Sequence, residues 1–259
     1  MKTKLKRLSE LSIFFPAYNE AGNIEEVVKQ ALAVASKVAK KFEIVIINDG
    51  STDSTLQISK RLAKKYPKVR VVTQTNRGYG GALKRGFKEA QYEWVFFTDS
   101  DLQFDISEII HFIEYVDESD LVIGYRLERA EGWKRHLLTS ALKVWNRIML
   151  NFPKEVKDID CAFKLIHKRV LVEIEPLFSD GAMISTEMLL KTYRMRFNIT
   201  QVGVQHYQRF IGQPTGNSTK VILKAVAETL NLQWQLFKQD LSLQLSRASS
   251  VIRLALLNR

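Results

Sequence analysis

Apolar residues along the chain gather in short runs separated by amphipathic stretches. Ser12–Phe15, Glu43–Ile47, Val69–Thr73, Trp94–Thr98 and Leu121–Ile123 are rich in Val, Ile, Leu and Phe. They run continuously instead of alternating with polar residues, the pattern of parallel strands covered on both faces. After the first run, Ile24, Val27, Val28, Ala31, Leu32, Ala35 and Val38 recur at helical spacing. Asn23 is the expected N-cap of that helix, and Glu25 and Glu26 suit the positive end of its dipole. A second helix is expected from about Asp53 to Tyr66, stopped by Pro67. Repeated strand–helix–strand order predicts a right-handed, Rossmann-like, mostly parallel α/β sheet flanked by helices.

The second half is less regular. A helix is expected over Trp133–Phe152, a strand over Cys161–Ile166, a helix over Thr186–Met195 and a strand over Asn198–Val204. Residues 205–219 read as a polar loop. Lys220–Lys238 reads as a helix and 240–258 as a leucine-rich amphipathic segment, so the C-terminal helices are amphipathic.

The five strand candidates of the first half are followed by PAYNE (16–20), NDGSTD (48–53), QTNRGYGG (74–81), DSDLQ (99–103) and GYRLER (124–129). Open α/β sheets bind ligands outside the carboxyl ends of their strands. These polar loops are therefore expected to form one site.

Within them, Asp99, Asp101 and Gln103 stand at alternate positions, so an extended segment points them the same way. Their oxygens are hard ligands suited to Mg²⁺ or Mn²⁺, which keep waters and accept phosphate oxygens. The competing reading is a polar loop in which Asp105 caps the next helix. Asp49 can accept from a base or ribose, or can serve only the turn, with Gly50 permitting the bend and Ser51 or Asp53 capping the helix. Gly78, Gly80 and Gly81 do not complete a dinucleotide fingerprint, because Leu83 takes the last glycine position. They suit a loop whose backbone approaches a ligand.

The stretch Arg126, Arg129, Lys134, Arg135, His136, Lys143 and Arg147 is basic. Arg126 and Arg135 are expected at phosphate, and the others on the surface. His206 and Arg209 are similar candidates. Glu187 is either a general base or a first-turn acid, and Cys161 is a small core residue.

Composition narrows the class. A chain of 259 residues with 46% apolar and 26% charged residues can bury a core without disulfides or a structural metal. One cysteine excludes an internal disulfide and a cysteine-rich zinc site. The 39 basic against 28 acidic residues, a net +11, point to an anionic partner. No nucleic-acid motif appears and the presumed cleft is Asp-rich, which argues against nucleic acid. No apolar run has the length of a spanning helix, and the start lacks a signal-peptide pattern.

With PAYNE, NDGSTD, DSDLQF, GYR, DCAFKLIHK (160–168) and STEMLLK (185–191) in order, the chain resembles the inverting family 2 glycosyltransferases of GT-A fold. Within them it is similar to the dolichyl- and polyprenyl-phosphate mannose or glucose synthase group, from about Leu11 to Asn217. The resemblance implies a catalytic domain over 1–217 and an amphipathic helical extension over 218–259. It implies a nucleotide pocket of Pro16, Ala17, Tyr18, Glu20 and Asp49. Asp99, Asp101 and Gln103 would hold Mg²⁺ or Mn²⁺ on the diphosphate of a nucleotide-sugar such as GDP-mannose or UDP-glucose. Arg126 and Arg135 would clamp the phosphate of a polyprenyl-phosphate acceptor, and His206 and Arg209 would close over the phosphates. Asn48 and Tyr125 depart from the usual Asp and Ser of the group.

Many members of that group carry transmembrane helices at the C-terminus. Here Leu241, Leu243, Leu245, Val251, Ile252, Leu254, Leu256 and Leu257, with Arg247, Arg253 and Arg259, suit an interfacial helix or burial against protein. The expectation is a cytoplasmic protein held peripherally on a membrane surface, with an integral-membrane partner as an option. Transfer to a hydroxyl of a glycan, lipid or protein is the alternative reaction. A non-catalytic nucleotide-sugar-binding or assembly subunit is the alternative class.

Overall fold

The computed structural model describes residues 6–127, 144–209 and 226–242. The elements are β1 (Leu8–Ala17), α1 (Ile24–Val38), β2 (Ala39–Asp49), α2 (Thr55–Lys65), β3 (Val69–Gln74), α3 (Gly78–Glu89) and β4 (Trp94–Thr98). A 3₁₀ turn, Ile106–Glu108, leads into α4 (Ile109–Ile113), followed by β5 (Leu121–Arg126). Helical residues 144–150 (α5) precede β6 (Phe163–His167), α6 (Lys168–Glu173), α7 (Ile184–Arg194) and β7 (Ile199–Val204). Residues 226–242 are helical (α8).

Seven strands form one sheet in the order β3-β2-β1-β4-β6-β5-β7. Strand β6 is antiparallel to both β4 and β5, and the remaining pairs are parallel. The six other strands therefore end on one edge. Period-two alternation sorts the strand side chains between two cores. Ile13, Phe15, Ile44, Ile46 and Phe96 face α1, α2 and α4, where Val27, Ala31, Leu62 and Phe112 cover them. Phe14, Val45, Ile47, Val95 and Phe97 face the other way, toward Leu83 and Phe87 of α3 and Met188 and Leu189 of α7. Phe14 sits within 5.4 Å, between ring centroids, of both Phe87 and Phe97. Leu232 and Leu236 of α8 join this second core, with Thr229 buried beside Asn146. The described part of the C-terminal region is thus packed on this second core.

Two local expectations change and one is decided between its alternatives. Asn23 holds the N-cap position of α1, yet its amide donates to the Glu20 carboxylate at 2.7 Å and makes no cap bond. Asp53, not Ser51, serves the start of α2, accepting from Thr55 N at 2.9 Å. The 78–81 segment is no open loop: it is the first turn of α3. Gly80 N and Gly81 N both donate to the Asp180 carbonyl, at 2.9 and 3.3 Å. A Cβ on Gly80 would lie 2.6 Å from the Asp180 carbonyl carbon, so the glycine serves a close approach of the chain to itself.

Candidate active site

The ends of β1 and β2 are laced together. Asn19 Oδ1 accepts from Thr52 N at 2.8 Å, Ser51 Oγ accepts from Asn19 N at 3.1 Å, and Thr55 Oγ1 accepts from Glu20 N at 2.8 Å. Asn19 takes a left-handed φ of 57° to do so. Asp49, at the tip of β2, is buried, and one carboxylate oxygen accepts from Gln74 Nε2 at 2.7 Å and Arg77 N at 3.0 Å. Gly50 has φ 71°, and a Cβ there would meet Asn76 N at 2.7 Å, so both backbone and space demand glycine. Asn48 is buried and donates to Thr73 Oγ1 at 2.9 Å. Pro16 and Ala17 end β1 beside these groups, with the Pro16 carbonyl accepting from Ser100 Oγ at 2.8 Å, while the Tyr18 ring is exposed.

The β4 exit carries the carboxylates. Leu102 adopts φ 62°, a sparsely populated conformation for a leucine, and such outliers concentrate at ligand-handling turns. Burial, followed by the Asp101 charge, pushes the Asp99 carboxyl up to about 7, against the Tyr79 hydroxyl bonded to it and the Lys164 cation. Burial also raises Asp101 and Glu20. Arg209 answers them: its guanidinium lies 2.6 Å from Glu20 Oε1 and 3.6 Å from Asp101 Oδ2. The 205–209 segment is pinned across this turn, with Tyr207 N donating to the Gln103 carbonyl at 2.9 Å and Gln103 Nε2 to the Tyr207 carbonyl at 3.0 Å. The His206 ring packs against Phe104 at 5.1 Å. Glu20, Asp49, Asp99, Asp101, Gln103, His206 and Arg209 thus come from loops spanning nearly the whole chain to one edge of the sheet.

A pair of partly desolvated carboxylates, each raised above its ordinary range, is a strained donor set that a divalent cation relieves. Among the described residues no three His, Cys, Asp or Glu side chains form a protein-only metal site. Two hard oxygen ligands with the remaining positions left to waters or phosphate fit Mg²⁺ or Mn²⁺.

Other expected residues have different positions. Arg126 ends β5, and its guanidinium grips Asp158 in bidentate fashion at 2.8 and 3.0 Å. That ion pair fixes the guanidinium at the carboxyl end of β5. Arg135 lies outside the described residues. Glu187 is fully buried in the first turn of α7; its oxygens accept from Phe178 N and Ser179 N at 2.8 Å each, with Lys191 Nζ 3.0 Å away. That environment makes it the anchor of the 178–181 loop, not a base facing the cleft. Gly78, with φ 75°, opens α3 next to that loop. Asp105 accepts from Ser107 N at 2.8 Å and so does cap the following turn. Cys161 is buried, and burial pushes its thiol up to about 12, so it is inert packing.

Two groups escaped the sequence reading. Lys164 of β6 is fully buried; Nζ donates to the Ile159 and Cys161 carbonyls, and burial lowers its pKa against the pull of Cys161, Asp158, Asp160 and Asp99. It places positive charge beneath the carboxylate turn. Tyr79, whose hydroxyl pKa is raised by burial and then by Asp99, supports the same carboxylate from α3. A lysine within the apolar run FKLI was the available signal for the first.

A mostly parallel sheet, helices on both faces and an acidic turn at the central strand's carboxyl end define a GT-A-type glycosyltransferase fold. Residues 12–174 match Glycosyl transferase family 2, and the chain belongs to that family. The dolichyl-phosphate beta-glucosyltransferase of Saccharomyces cerevisiae is 28% identical over 223 residues, 76% of this chain and 67% of that protein. The dolichol-phosphate mannosyltransferase of Pyrococcus furiosus is 32% identical over 191 residues, 70% of this chain and 53% of that protein. The chain thus spans between about half and two thirds of these relatives' lengths. Among solved structures, glucosyl-3-phosphoglycerate synthase from Mycobacterium tuberculosis, in complex with Mn²⁺, UDP and glucosyl-3-phosphoglycerate, superposes with a TM-score of 0.64. It is 21% identical, with 86% of this chain and 80% of that one covered, a likeness of fold.

Proposed function

We propose that this glycosyltransferase moves a hexose from a nucleotide-sugar, GDP-mannose or UDP-glucose, to a polyprenyl phosphate with inversion at the anomeric carbon. The observation that carries the reading is the meeting of Asp49, the Asp99–Asp101 pair and the Glu20–Arg209 ion pair at one sheet edge. The relatives' names supply the acceptor class.

In this reading Asp49 accepts from the nucleoside, with Pro16, Ala17, Tyr18 and Glu20 forming the wall beside it. Asp99 and Asp101, with the Gln103 side-chain amide oxygen as a further donor, would hold Mg²⁺ or Mn²⁺. When bound, that cation supplies Lewis-acid charge to the diphosphate. Arg209 and His206 face the phosphates from the loop pinned over Gln103, adding positive charge where the leaving group develops negative charge. The bond from the sugar C1 to the diphosphate oxygen breaks, its electrons leaving with the nucleoside diphosphate. An acceptor phosphate oxygen forms the new bond to C1 from the opposite side.

A phosphate monoester with a second pKa of about 6 is already a dianion at neutral pH. Positioning therefore matters more than a general base, which agrees with Glu187 being spent on the 178–181 loop. A polyprenyl acceptor places the reaction at a membrane surface, and among the described residues no helix is long and apolar enough to cross one. We further propose peripheral attachment on the cytoplasmic side of a membrane, alone or through an integral-membrane partner; the polyprenyl-phosphate acceptors in the relatives' names support a membrane surface.

The test is a donor panel with Mn²⁺ or Mg²⁺, offered a short polyprenyl phosphate or the matching free alcohol. Lipid-linked sugar formed only with the phosphate, and lost in Asp101→Ala, is the expected result. Equal transfer to the alcohol would move the acceptor to a hydroxyl. Absence of turnover and of cation-dependent donor binding would overturn the enzymatic reading.

A further inference from the structure

Strand β6 carries a charge where its surroundings call for an apolar residue. Lys164 is fully buried, and its register partners are Phe97 of β4 and Ile123 of β5, both in the second core. Its ammonium lies 5.7 Å from the centre of the Phe97 ring. An ammonium taken out of water is costly unless its donors are met, and a methionine would suit these neighbours without that cost. The use of the charge lies in what it holds.

Nζ donates to the Ile159 carbonyl at 3.3 Å and to the Cys161 carbonyl. Both carbonyls belong to the turn that enters β6, which is neither helix nor strand and so has no ladder of its own to hold it. At the head of that turn stands buried Asp158, whose carboxylate accepts from Arg126 Nε at 2.8 Å and Nη2 at 3.0 Å. The turn is also pressed on β5: a Cβ on Gly124 would lie 2.9 Å from Cys161 Sγ. The contacts thus run from Lys164 through the carbonyls of the turn to Asp158, and on to Arg126.

Sheet order gives this line its place. Antiparallel β6 lies between β4 and β5, so Lys164 stands between the strand that ends in the carboxylate turn and the strand that ends in Arg126. A guanidinium carries five N–H donors in a rigid fork, and a bidentate grip on one side of it fixes the plane of the whole group. We propose that Lys164 is a positioning residue for the transfer: by holding the 159 and 161 carbonyls it keeps Asp158 where it sets the Arg126 guanidinium against the acceptor phosphate. The proposal rests on the polyprenyl-phosphate reading. Misplacement of a positioning group by 1 Å can cost about a hundredfold in rate, even when its source lies far from the chemistry.

Steady-state transfer and calorimetric donor binding test the role on Lys164→Met in the full chain. At saturating donor, kcat/KM for a short polyprenyl phosphate is expected to fall at least about tenfold, the worth of one hydrogen bond to a charged group. Affinity for Mn²⁺ with UDP or GDP, whichever wild type binds, stays within about twofold. A lysine that acts through Arg126 adds little once the guanidinium is gone. In an Arg126→Gln background, which leaves Asp158 a donor, the same substitution therefore costs less than about twofold in kcat/KM. Two losses that multiply overturn the proposal, as does unchanged acceptor use in Lys164→Met. A parallel loss of donor binding overturns it as well, since it reports general distortion. Lys164→Gln keeps an amide donor for one carbonyl and carries the same comparison where Lys164→Met gives too little folded protein. No folded protein from either makes the lysine a requirement of the fold alone and overturns the positioning role. Wild type that binds donor but moves sugar to the free alcohol and not to the phosphate overturns the acceptor reading, and the proposal with it.

Discussion

Gly80→Ala sets two physical effects against each other with opposite signs. Gly80 lies in the first turn of α3, where alanine is a better helix former by about 1 kcal/mol. Helix propensity alone therefore predicts a more stable protein. Packing predicts the reverse, because the new Cβ would sit 2.6 Å from the Asp180 carbonyl carbon and 2.8 Å from the carbonyl oxygens of Ser179 and Gly181. Those are backbone atoms, and Glu187 and Lys84 hold their segment in place. Overpacking of this kind costs roughly 1–3 kcal/mol. Prising α3 from the loop also loses its hydrogen bonds to the Asp180 carbonyl, at about 1 kcal/mol each. After subtracting the helix gain, the net loss is about 3 kcal/mol, or roughly 6–12 °C in melting temperature for a chain of this size. Equilibrium urea unfolding followed by tryptophan fluorescence reads it, with Lys88→Ala on the exposed side of α3 as control, expected within about 0.5 kcal/mol of wild type. A Gly80→Ala protein as stable as wild type, or more so, would refute the close packing of the 179–181 backbone on α3.

Three further outcomes follow from the charged groups. Glu187→Gln keeps the shape but loses an acceptor for a buried amide and the Lys191 charge partner, for about 3 kcal/mol in urea unfolding with turnover per folded molecule preserved; normal stability with lost turnover would restore its part as a base. Arg209→Ala destabilises the fold, and adding Glu20→Gln recovers part of the loss, with a coupling of about 1–3 kcal/mol in a double-mutant cycle; strict additivity would contradict the ion pair. Asp99, raised to about 7, keeps its proton in the folded state while the unfolded chain has already lost it, so its contribution to stability falls as pH rises from about 4 to about 7. Mn²⁺ binds the ionised pair, so the melting-temperature gain from added Mn²⁺ should be larger at about pH 8 than at about pH 5.5, and an equal gain would count against Asp99 as a ligand.

The sheet was legible because its strands are buried on both faces and read as unbroken apolar runs. Each observed strand of the first half overlaps its expected run, with β1 and β2 extending further toward their N-terminal ends. The direction of β6 was not legible. An apolar run carries no sign of which way it threads, and only pairing with Trp94–Thr98 and Leu121–Ile123 sets it antiparallel. Helix α3 was hidden by its own glycines, which look like a loop until the 179–181 backbone pressed against them is seen. The acidic turn and the loop holding His206 and Arg209 could each be found by residue type. Their meeting, made by Tyr207 and Gln103 across about a hundred residues, is a tertiary fact. The pairing of Arg126 with Asp158, 32 residues further along the chain, is a tertiary fact of the same kind.

The central claim is that the turn at the end of β4 holds a divalent cation on a nucleoside diphosphate. Anomalous diffraction at the manganese edge, from crystals grown with Mn²⁺ and UDP or GDP, tests it most directly. A peak is predicted within bonding distance of an Asp101 oxygen, shared with diphosphate oxygens and absent in Asp101→Ala crystals. A bound nucleotide with no peak at Asp99 or Asp101, or a peak that survives the substitution, would contradict the account.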